Sequence, residues 1–383
     1  LAEGAQLGRI LVVWLVNRVC AIDLSDETPR LLWDYETTRL GANDPRQTHR
    51  IQRANRRRAQ PLGGMAGGEL GPLMVAHGIA CFERNDELVA VDLESGALLW
   101  ARDDIPKGID LFGDARFIFV VSAEGADEAR VLSSLDGQEL GQRSLPARSD
   151  WLTTIGRRLL VWETARPPCR LQLVDAWSGE TAWERERTAQ TPMCLVRPDG
   201  VAALDPEGRF AVWNIDSGIS MVEAQLDILP ALEQIYVEPY GSDLLVLANR
   251  PPEPAGRPIA SHAAVPAVNA NGRLLRVTPE GRTLWSTEVV DQQLELDLPP
   301  ELPVLLFSKR RHRQVARPQG GMTNKVEYAV LCLDKRTGET VHDETVPSNG
   351  REMEIRAVDP KGGRIEVITR PLNIKITRVK ESP

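Results

Sequence analysis

Between Leu88 and Arg102 the chain reads LVAVDLESGALLWAR: Val89 and Val91 alternate with small or polar neighbours, Asp92 to Gly96 carries turn chemistry, and Leu98 to Trp100 begins a return strand. This is the pattern of a β-hairpin. The Asp92 carboxylate can fold back onto the N–H groups of the turn, Ser95 can add a hydroxyl, and Gly96 can take the positive φ that closes it. Imperfect copies recur, with turn glycines at Gly137, Gly179, Gly218, Gly281 and Gly338. An indole stands four residues past the glycine at Trp100, Trp183 and Trp285, whereas Gly141, Val222 and His342 occupy that place after Gly137, Gly218 and Gly338. A fixed offset from turn to indole implies a repeated packing slot. The most distant copy, 20–34, keeps Ala21, Asp23 and Trp33 but has the wider turn SDETPR.

Ala90, Asp92, Ser95, Gly96 and Trp100 spell A-x-D-x-x-[ST]-G-x-x-x-W. The pattern resembles the repeat of the PQQ-like, or quinoprotein alcohol dehydrogenase-like, β-propellers. Partial copies at 173–183, with Asp175, Gly179 and Trp183, and at 332–342, with Asp334 and Gly338, extend the resemblance, and looser copies near 136, 214 and 278 carry it over nearly the whole chain. The resemblance implies an all-β fold, a β-propeller of four-stranded antiparallel blades. In that family the hairpin forms the two outer strands of a blade and the tryptophan docks one blade against the next. The non-catalytic BamB-type scaffolds of the bacterial envelope are similar in kind, which directs expectation to the envelope or periplasm.

The turn glycines from Gly96 to Gly218 are separated by 41, 42 and 39 residues, one blade length each. The next intervals are 63 and 57 residues, and the excess coincides with polar, proline-containing sequence at 249–271 and 308–324. Both read as surface loops inserted between a second and a third strand. A third insertion is expected at about 40–70, after a fourth strand. Three strand-like pieces open the chain, RILVVWL, RVCAIDL and RLLWDYE, with no visible inner strand, and three more close it, MEIRAVD, GRIEVIT and NIKITRV. Seven hairpin copies and this tail predict one domain of eight blades over 1–383. Seven blades, with the tail completing the first, is the alternative. The chain starts at Leu1 without methionine and is expected to be a piece of a longer one.

Composition narrows the function. A net charge of −8 disfavours nucleic acid as a ligand, and Ile10 to Val16, the longest early apolar run, is too short to span a membrane. A monomeric propeller with a protein partner is the expected form. Cys20, Cys81, Cys169, Cys194 and Cys332 form no CxxC and no adjacent pair, so zinc-knuckle and haem-attachment patterns have no support. The quinoprotein dehydrogenases that the repeat resembles use a carboxylate base, calcium and, in the alcohol-oxidising members, adjacent disulfide-bonded cysteines beside the quinone. Adjacent cysteines do not occur here. The recurrent acids Asp23, Asp92, Asp136, Asp175 and Asp334 read as turn residues, and His49, His262 and His312 as solvated loop residues. No catalytic residue, cofactor or metal ligand is assigned.

Topology singles out one face. The loop between second and third strands opens on the same side of a blade as the connection to the next blade, so all three insertions should share a face opposite the tight turns. That face would gather Arg53, Arg57 and Arg58 with Lys309, Arg310, Arg311 and Arg313 into a basic patch on an acidic body. The expected function is a protein-interaction scaffold that binds through this face. The alternatives are a quinone- and calcium-dependent dehydrogenase, and a binder of an anionic polymer or lipid head group.

Overall fold

The computed structural model describes residues 3–15, 18–26, 28–37, 73–106, 108–122, 127–164, 167–188, 190–227, 231–251, 267–296, 298, 302–316, 322–348, 354–359, 364–368 and 373–376. Among them the chain forms thirty strands in seven sheets, one 3-10 turn at Arg148–Asp150, and no α-helix. Five sheets are four-stranded antiparallel blades, so the all-β propeller-type fold expected from the repeat is the observed one. By packing, the chain divides into two compact units: Leu1–Gln60, Gly64–Ala189 and Asn214–Ile219 in the first, and Pro61–Gly63, Gln190–Trp213 and Ser220–Pro383 in the second.

The first unit holds four blades. They are β1 (Glu3–Leu7) to β4 (Arg30–Glu36) with β2 (Ile10–Trp14) and β3 (Arg18–Asp23); β5 (Leu73–Ala76), β6 (Ile79–Arg84), β7 (Glu87–Asp92) and β8 (Leu98–Arg102); β9 (Ile109–Gly113), β10 (Phe117–Ser122), β11 (Glu128–Ser133) and β12 (Glu139–Ser144); and β13 (Trp151–Ile155), β14 (Arg158–Glu163), β15 (Cys169–Asp175) and β16 (Thr181–Arg187). Each pairs its strands in chain order. The first three strands of a blade are continuous apolar runs where both of their faces are covered; β7, the third strand of its blade, buries Leu88, Val89, Ala90 and Val91 completely. Outer strands are polar, and β8 buries only Trp100. β1 escaped the sequence reading because EGAQL has no apolar alternation to announce it.

Within this unit each of three indoles docks on the hairpin turn that follows it in the chain. Trp33 Nε1 donates to the Leu93 carbonyl at 2.8 Å, Trp100 Nε1 to Ser134 at 3.0 Å, and Trp183 Nε1 to Ile215 at 2.8 Å. In every case the acceptor lies in the next turn of the chain. The glycine of that turn lies under the ring: a Cβ on Gly96, Gly137 or Gly218 would come within 2.7 Å of Trp33, Trp100 or Trp183. These glycines also have φ near +70°. Turn geometry and ring clearance therefore demand the same residue.

A second contact accompanies the indole. The residue two places further on donates to the turn glycine's own carbonyl: Tyr35 Oη to Gly96 at 2.6 Å, Arg102 Nη1 to Gly137 at 2.7 Å, and Arg185 Nη2 to Gly218 at 2.8 Å. Arg102 is held for this by Asp104, which accepts from its Nε at 2.8 Å and Nη2 at 2.6 Å.

Where the indole is missing the contact differs. Gly141 stands where a tryptophan would follow Gly137, and Trp177 of the next turn instead packs back on the preceding blade. Trp177 stacks on Phe117 with centroids 4.4 Å apart, and the Arg143 guanidinium lies over its outer face at 3.9 Å. No atom would meet a Cβ on Gly179 within 4 Å, as expected for a turn that seats no ring.

The second unit contains the blade β17 (Met193–Val196), β18 (Gly200–Leu204), β19 (Arg209–Asn214) and β20 (Ser220–Gln225), and a three-stranded sheet of β28 (Glu354–Asp359), β29 (Arg364–Ile368) and β30 (Asn373–Ile376). Between them lies a seven-stranded sheet: β21 (Gln234–Tyr240), β22 (Asp243–Asn249), β23 (Ala267–Val277), β24 (Thr283–Glu295), β25 (Val304–Ala316), β26 (Met322–Asp334) and β27 (Thr340–Ser348). Trp285 repeats the docking by donating to Lys335 O at 3.2 Å over Gly338, and Thr287 adds the second contact, to Gly338 O at 2.8 Å. After β20, which has Val222 in place of an indole, the strand itself closes in: a Cβ on Gly281 would lie 2.2 Å from Glu223 O.

The inserted loops require correction. Residues 308–316 and 322–324, expected as loop, are strand, and β25 and β26 pair without a break from Val304↔Asp334 to Ala316↔Met322. Polar, proline-containing sequence reads as loop, but a two-stranded ribbon satisfies its backbone by cross-strand pairing whatever its side chains are. Likewise Asn249 ends β22 and 267–271 begin β23. Residues 252–266, 317–321 and the expected insertion at 40–70 lie outside the described residues.

Truncating a docked indole removes a large buried ring and strands a turn carbonyl. Trp100→Ala should cost about 3–5 kcal/mol, and Gly137→Ala, which forces the partner ring aside at a positive φ, should also destabilise. Chemical denaturation checks both; an unchanged midpoint for Trp100→Ala would show that the indole does not hold the blades.

Candidate functional site

The recurrent turn acids are engaged locally. Asp92 Oδ1 accepts from Ser95 N at 2.8 Å and Ser95 Oγ at 2.6 Å; Asp334 Oδ1 accepts from the N–H groups of Arg336 at 2.6 Å and Thr337 at 3.1 Å. Asp175 accepts from Trp177 N and Ser178 N on one oxygen and from Arg157 Nε at 2.6 Å on the other. The Ser95 hydroxyl and N–H hold the Asp92 carboxyl below the usual carboxylate range, and the Ser25 pair does the same for Asp23. In the third copy the position equivalent to Asp92 is Ser133, whose carbonyl accepts from Gly137 N at 2.9 Å; Asp136 sits beside it in the turn. The thiols are free, and burial pushes Cys194 up to about 12 and Cys332 to about 11, so neither is poised as a nucleophile. Among the described residues no group of three His, Cys, Asp or Glu could hold a metal ion.

The unusual polar chemistry lies in the seven-stranded sheet, at the end opposite its tight turns. β23 and β24 are out of register at one point: Ala270 pairs with Gln292 and Gly272 with Val289, leaving Asn271 on one strand against Val290 and Asp291 on the other. Asp291 has φ +52°. Two buried or half-buried amides fasten this bulge. Asn249 accepts from Asn271 N at 2.9 Å and donates to Asn269 O at 2.7 Å, while Asn271 donates to Pro251 O at 2.9 Å and accepts from Asp291 N at 3.3 Å. Gly272 is required here because a Cβ would fall 2.0 Å from Ala248 O. The run NANG at 269–272, turn letters inside a strand, was the available sequence signal for such a bulge.

Past the bulge, β24 reaches β25 through two residue pairs, Gln293↔Ser308 and Leu294↔Phe307. Two ionisable groups are buried at this seam. Lys309, expected on an exposed basic face, is 7% exposed and its ammonium pairs with Asp291. The carboxyl of Glu295, 4% exposed, accepts from the Ser308 hydroxyl through Oε1, while Oε2 has no partner among the described residues. Burial pushes Glu295 up to about 7, with the Ser308 hydrogen bond acting against the shift.

Of the expected patch, Lys309 is thus buried, and Arg310, Arg311 and Arg313 lie on β25 with their side chains outside the described residues, as is that of His312. Cross-strand neighbours are Glu327 for Arg311, Lys325 for Arg313 and Tyr328 for Arg310. Arg53, Arg57 and Arg58 lie outside the described residues, as do His49 and His262.

No family model matches the chain, and no curated protein sequence does. Solved structures to which it is similar include BamB from Moraxella catarrhalis, at 12% identity and TM-score 0.40 over 100% of this chain and 95% of that one. Hsv2p from Kluyveromyces lactis has 12% identity and TM-score 0.40 over 82% and 93%, and the quinohemoprotein alcohol dehydrogenase from Comamonas testosteroni 13% and 0.40 over 95% and 69%. Likeness at this level bears on no activity or partner.

Glu295 should leave a pH signature. Between about pH 4.5 and 7 the folded protein keeps a proton that the unfolded chain has released, so stability falls as pH rises through that window. Glu295→Gln should flatten this fall and stabilise the protein at pH 8 by on the order of 3 kcal/mol. Denaturation of both proteins at pH 5 and pH 8 checks it.

Proposed function

We propose that the chain is a single propeller domain of eight blades that works as a non-catalytic scaffold, binding a protein partner through the end of the blades that carries the long strands. The observation that supports this reading is where the chemistry sits. The carboxylates repeated at the turns are tied to N–H and hydroxyl groups of their own turns, while the residues that depart from the repeat build strand length at one end of the second unit. A rigid array with elaboration at one end suits recognition better than turnover.

Eight blades are favoured by two features. β1 gives the first blade an inner strand of its own, so the tail is not needed to complete it. The seven-stranded sheet resolves at the bulge into β21–β24 up to Val289 and a second group, with 292–295 as inner strand ahead of β25, β26 and β27.

Purified protein given calcium and the quinone should not reduce an artificial electron acceptor with alcohols or sugars. Robust turnover abolished by removing one carboxylate would overturn the scaffold reading. Affinity capture from a bacterial extract should retain a protein partner whose binding weakens as salt rises.

A further inference from the structure

We propose that the hairpin turn at Gly179 carries a vacant indole slot, which a partner protein fills with a tryptophan presented on an extended segment. The slot belongs to the first unit, so the inference goes beyond the scaffold reading and does not rest on it.

The receiving half of the slot is complete. Gly179 has φ +75°, its N–H donates to Asp175 O at 2.8 Å, and Asp175 N donates to Glu180 O at 2.9 Å. At Gly96 the φ is +70°, with Gly96 N on Asp92 O and Asp92 N on Ala97 O, both at 2.9 Å. The two turns are built alike. Yet Gly96, Gly137, Gly218 and Gly338 are buried, each beneath a ring of this chain, whereas Gly179 is exposed and among the described residues no atom lies within 4 Å of where its Cβ would be.

The supplying half is missing for a reason visible in β12. Gly141 stands in the place of the indole, and a Cβ there would meet only Arg143 Nη1, at 3.8 Å. Arg143 holds the position of the second clamp but is turned aside: it lies over Trp177, and its Nε donates to Trp177 O at 3.1 Å. Trp177 is itself laid back on Phe117 and leaves the glycine uncovered. Neither strand nor turn fills the place of the ring.

The occupant follows from the equivalent turns. Trp33, Trp100, Trp183 and Trp285 each cover a turn glycine and donate Nε1 to a carbonyl three residues before it, at Leu93, Ser134, Ile215 and Lys335; Ala176 holds that place here. A surface that the chain covers with an indole at four equivalent turns has the shape and the acceptor for an indole at this one. A second copy of the chain has no ring to offer, because all 9 tryptophans, 4 tyrosines and 6 phenylalanines lie among the described residues and none is exposed. The ring must come from another protein. The clamps made by Tyr35, Arg102, Arg185 and Thr287 add a preference for arginine, tyrosine or threonine two residues after the incoming tryptophan.

Fluorine NMR with the full chain tests this. The probe is a peptide with the sequence of residues 97–102, ALLWAR, its tryptophan replaced by fluorotryptophan. Its signal should shift and broaden with the wild-type protein and stay unchanged with Gly179→Asn, since asparagine tolerates a positive φ while its side chain enters the slot. An equal shift with both proteins would seat the ring elsewhere, and no shift with either would show that the turn takes no indole; each overturns the inference. Melting curves give a second readout. Gly179→Asn should melt close to wild type, whereas Gly96→Asn, whose side chain would strike Trp33, should melt clearly lower. An equal fall for both would mean that the slot is already filled, and the inference fails. The scaffold reading is untouched by any of these outcomes, because it places its partner at the long strands of the second unit.

Discussion

The fold depends on one contact: an indole lying on the glycine of the next turn, with its N–H on a carbonyl of the same turn. The requirement is joint. The glycine must have a positive φ to close the hairpin and must lack a Cβ to leave room for the ring. The aspartate before it ties down the turn N–H groups, so that the carbonyls point at the incoming indole and at the arginine, tyrosine or threonine two residues beyond it. A single short motif thereby fixes a turn, a blade edge and the junction to the neighbouring blade. This is why so few residues need to recur for the architecture to repeat.

The lapses in the motif show two ways of joining blades without the indole. Without a ring at Gly141, Trp177 of the following turn stacks on Phe117 under Arg143, and the space over Gly179 stays open. With Val222 in place of an indole, the β20 backbone lies against Gly281. Apolar contact between blades is thus made by whichever group is near, ring or backbone. Degenerate repeats can diverge far in sequence under such a constraint, because each junction needs to be filled locally and nothing ties it to the solution used at the next.

Strand order, blade length and the role of the indoles were legible in the sequence because each leaves a periodic trace. Val89 and Val91 mark a strand, Gly96 a turn, and Trp100 a junction. What lacked a period was misread or missed. β1 has no apolar alternation, and the second clamp, made by chemically different residues at Tyr35, Arg102, Arg185 and Thr287, shares a position but no composition. The KRRHR stretch reads as loop because polar residues, proline and glycine dominate 308–324, whereas what makes it strand is its pairing with β26, which the local sequence does not announce. Lys309 failed as a surface residue for a related reason: its burial is decided by Asp291, eighteen positions away, on a strand brought alongside by the bulge.

That bulge is where the second unit departs from simple repetition, and its energetics follow from the polar groups it buries. A blade of ordinary length would have no reason to place a carboxyl, an ammonium and two amides at a strand junction, since each loses hydration on folding. Here the amides recover hydrogen bonds by bridging strands, and the ammonium recovers an ion pair. Glu295 recovers less, with one oxygen on Ser308 and the other unpartnered among the described residues. The seam between β24 and β25, two residue pairs long and flanked by this carboxyl, is therefore a weaker join than the continuous ladders on either side of it. Burial of imperfectly satisfied groups at a short seam is hard to explain as stabilisation. It is intelligible as the consequence of continuing β24 past the bulge, where 292–295 lie between β23 and β25 and join two sets of strands into one sheet.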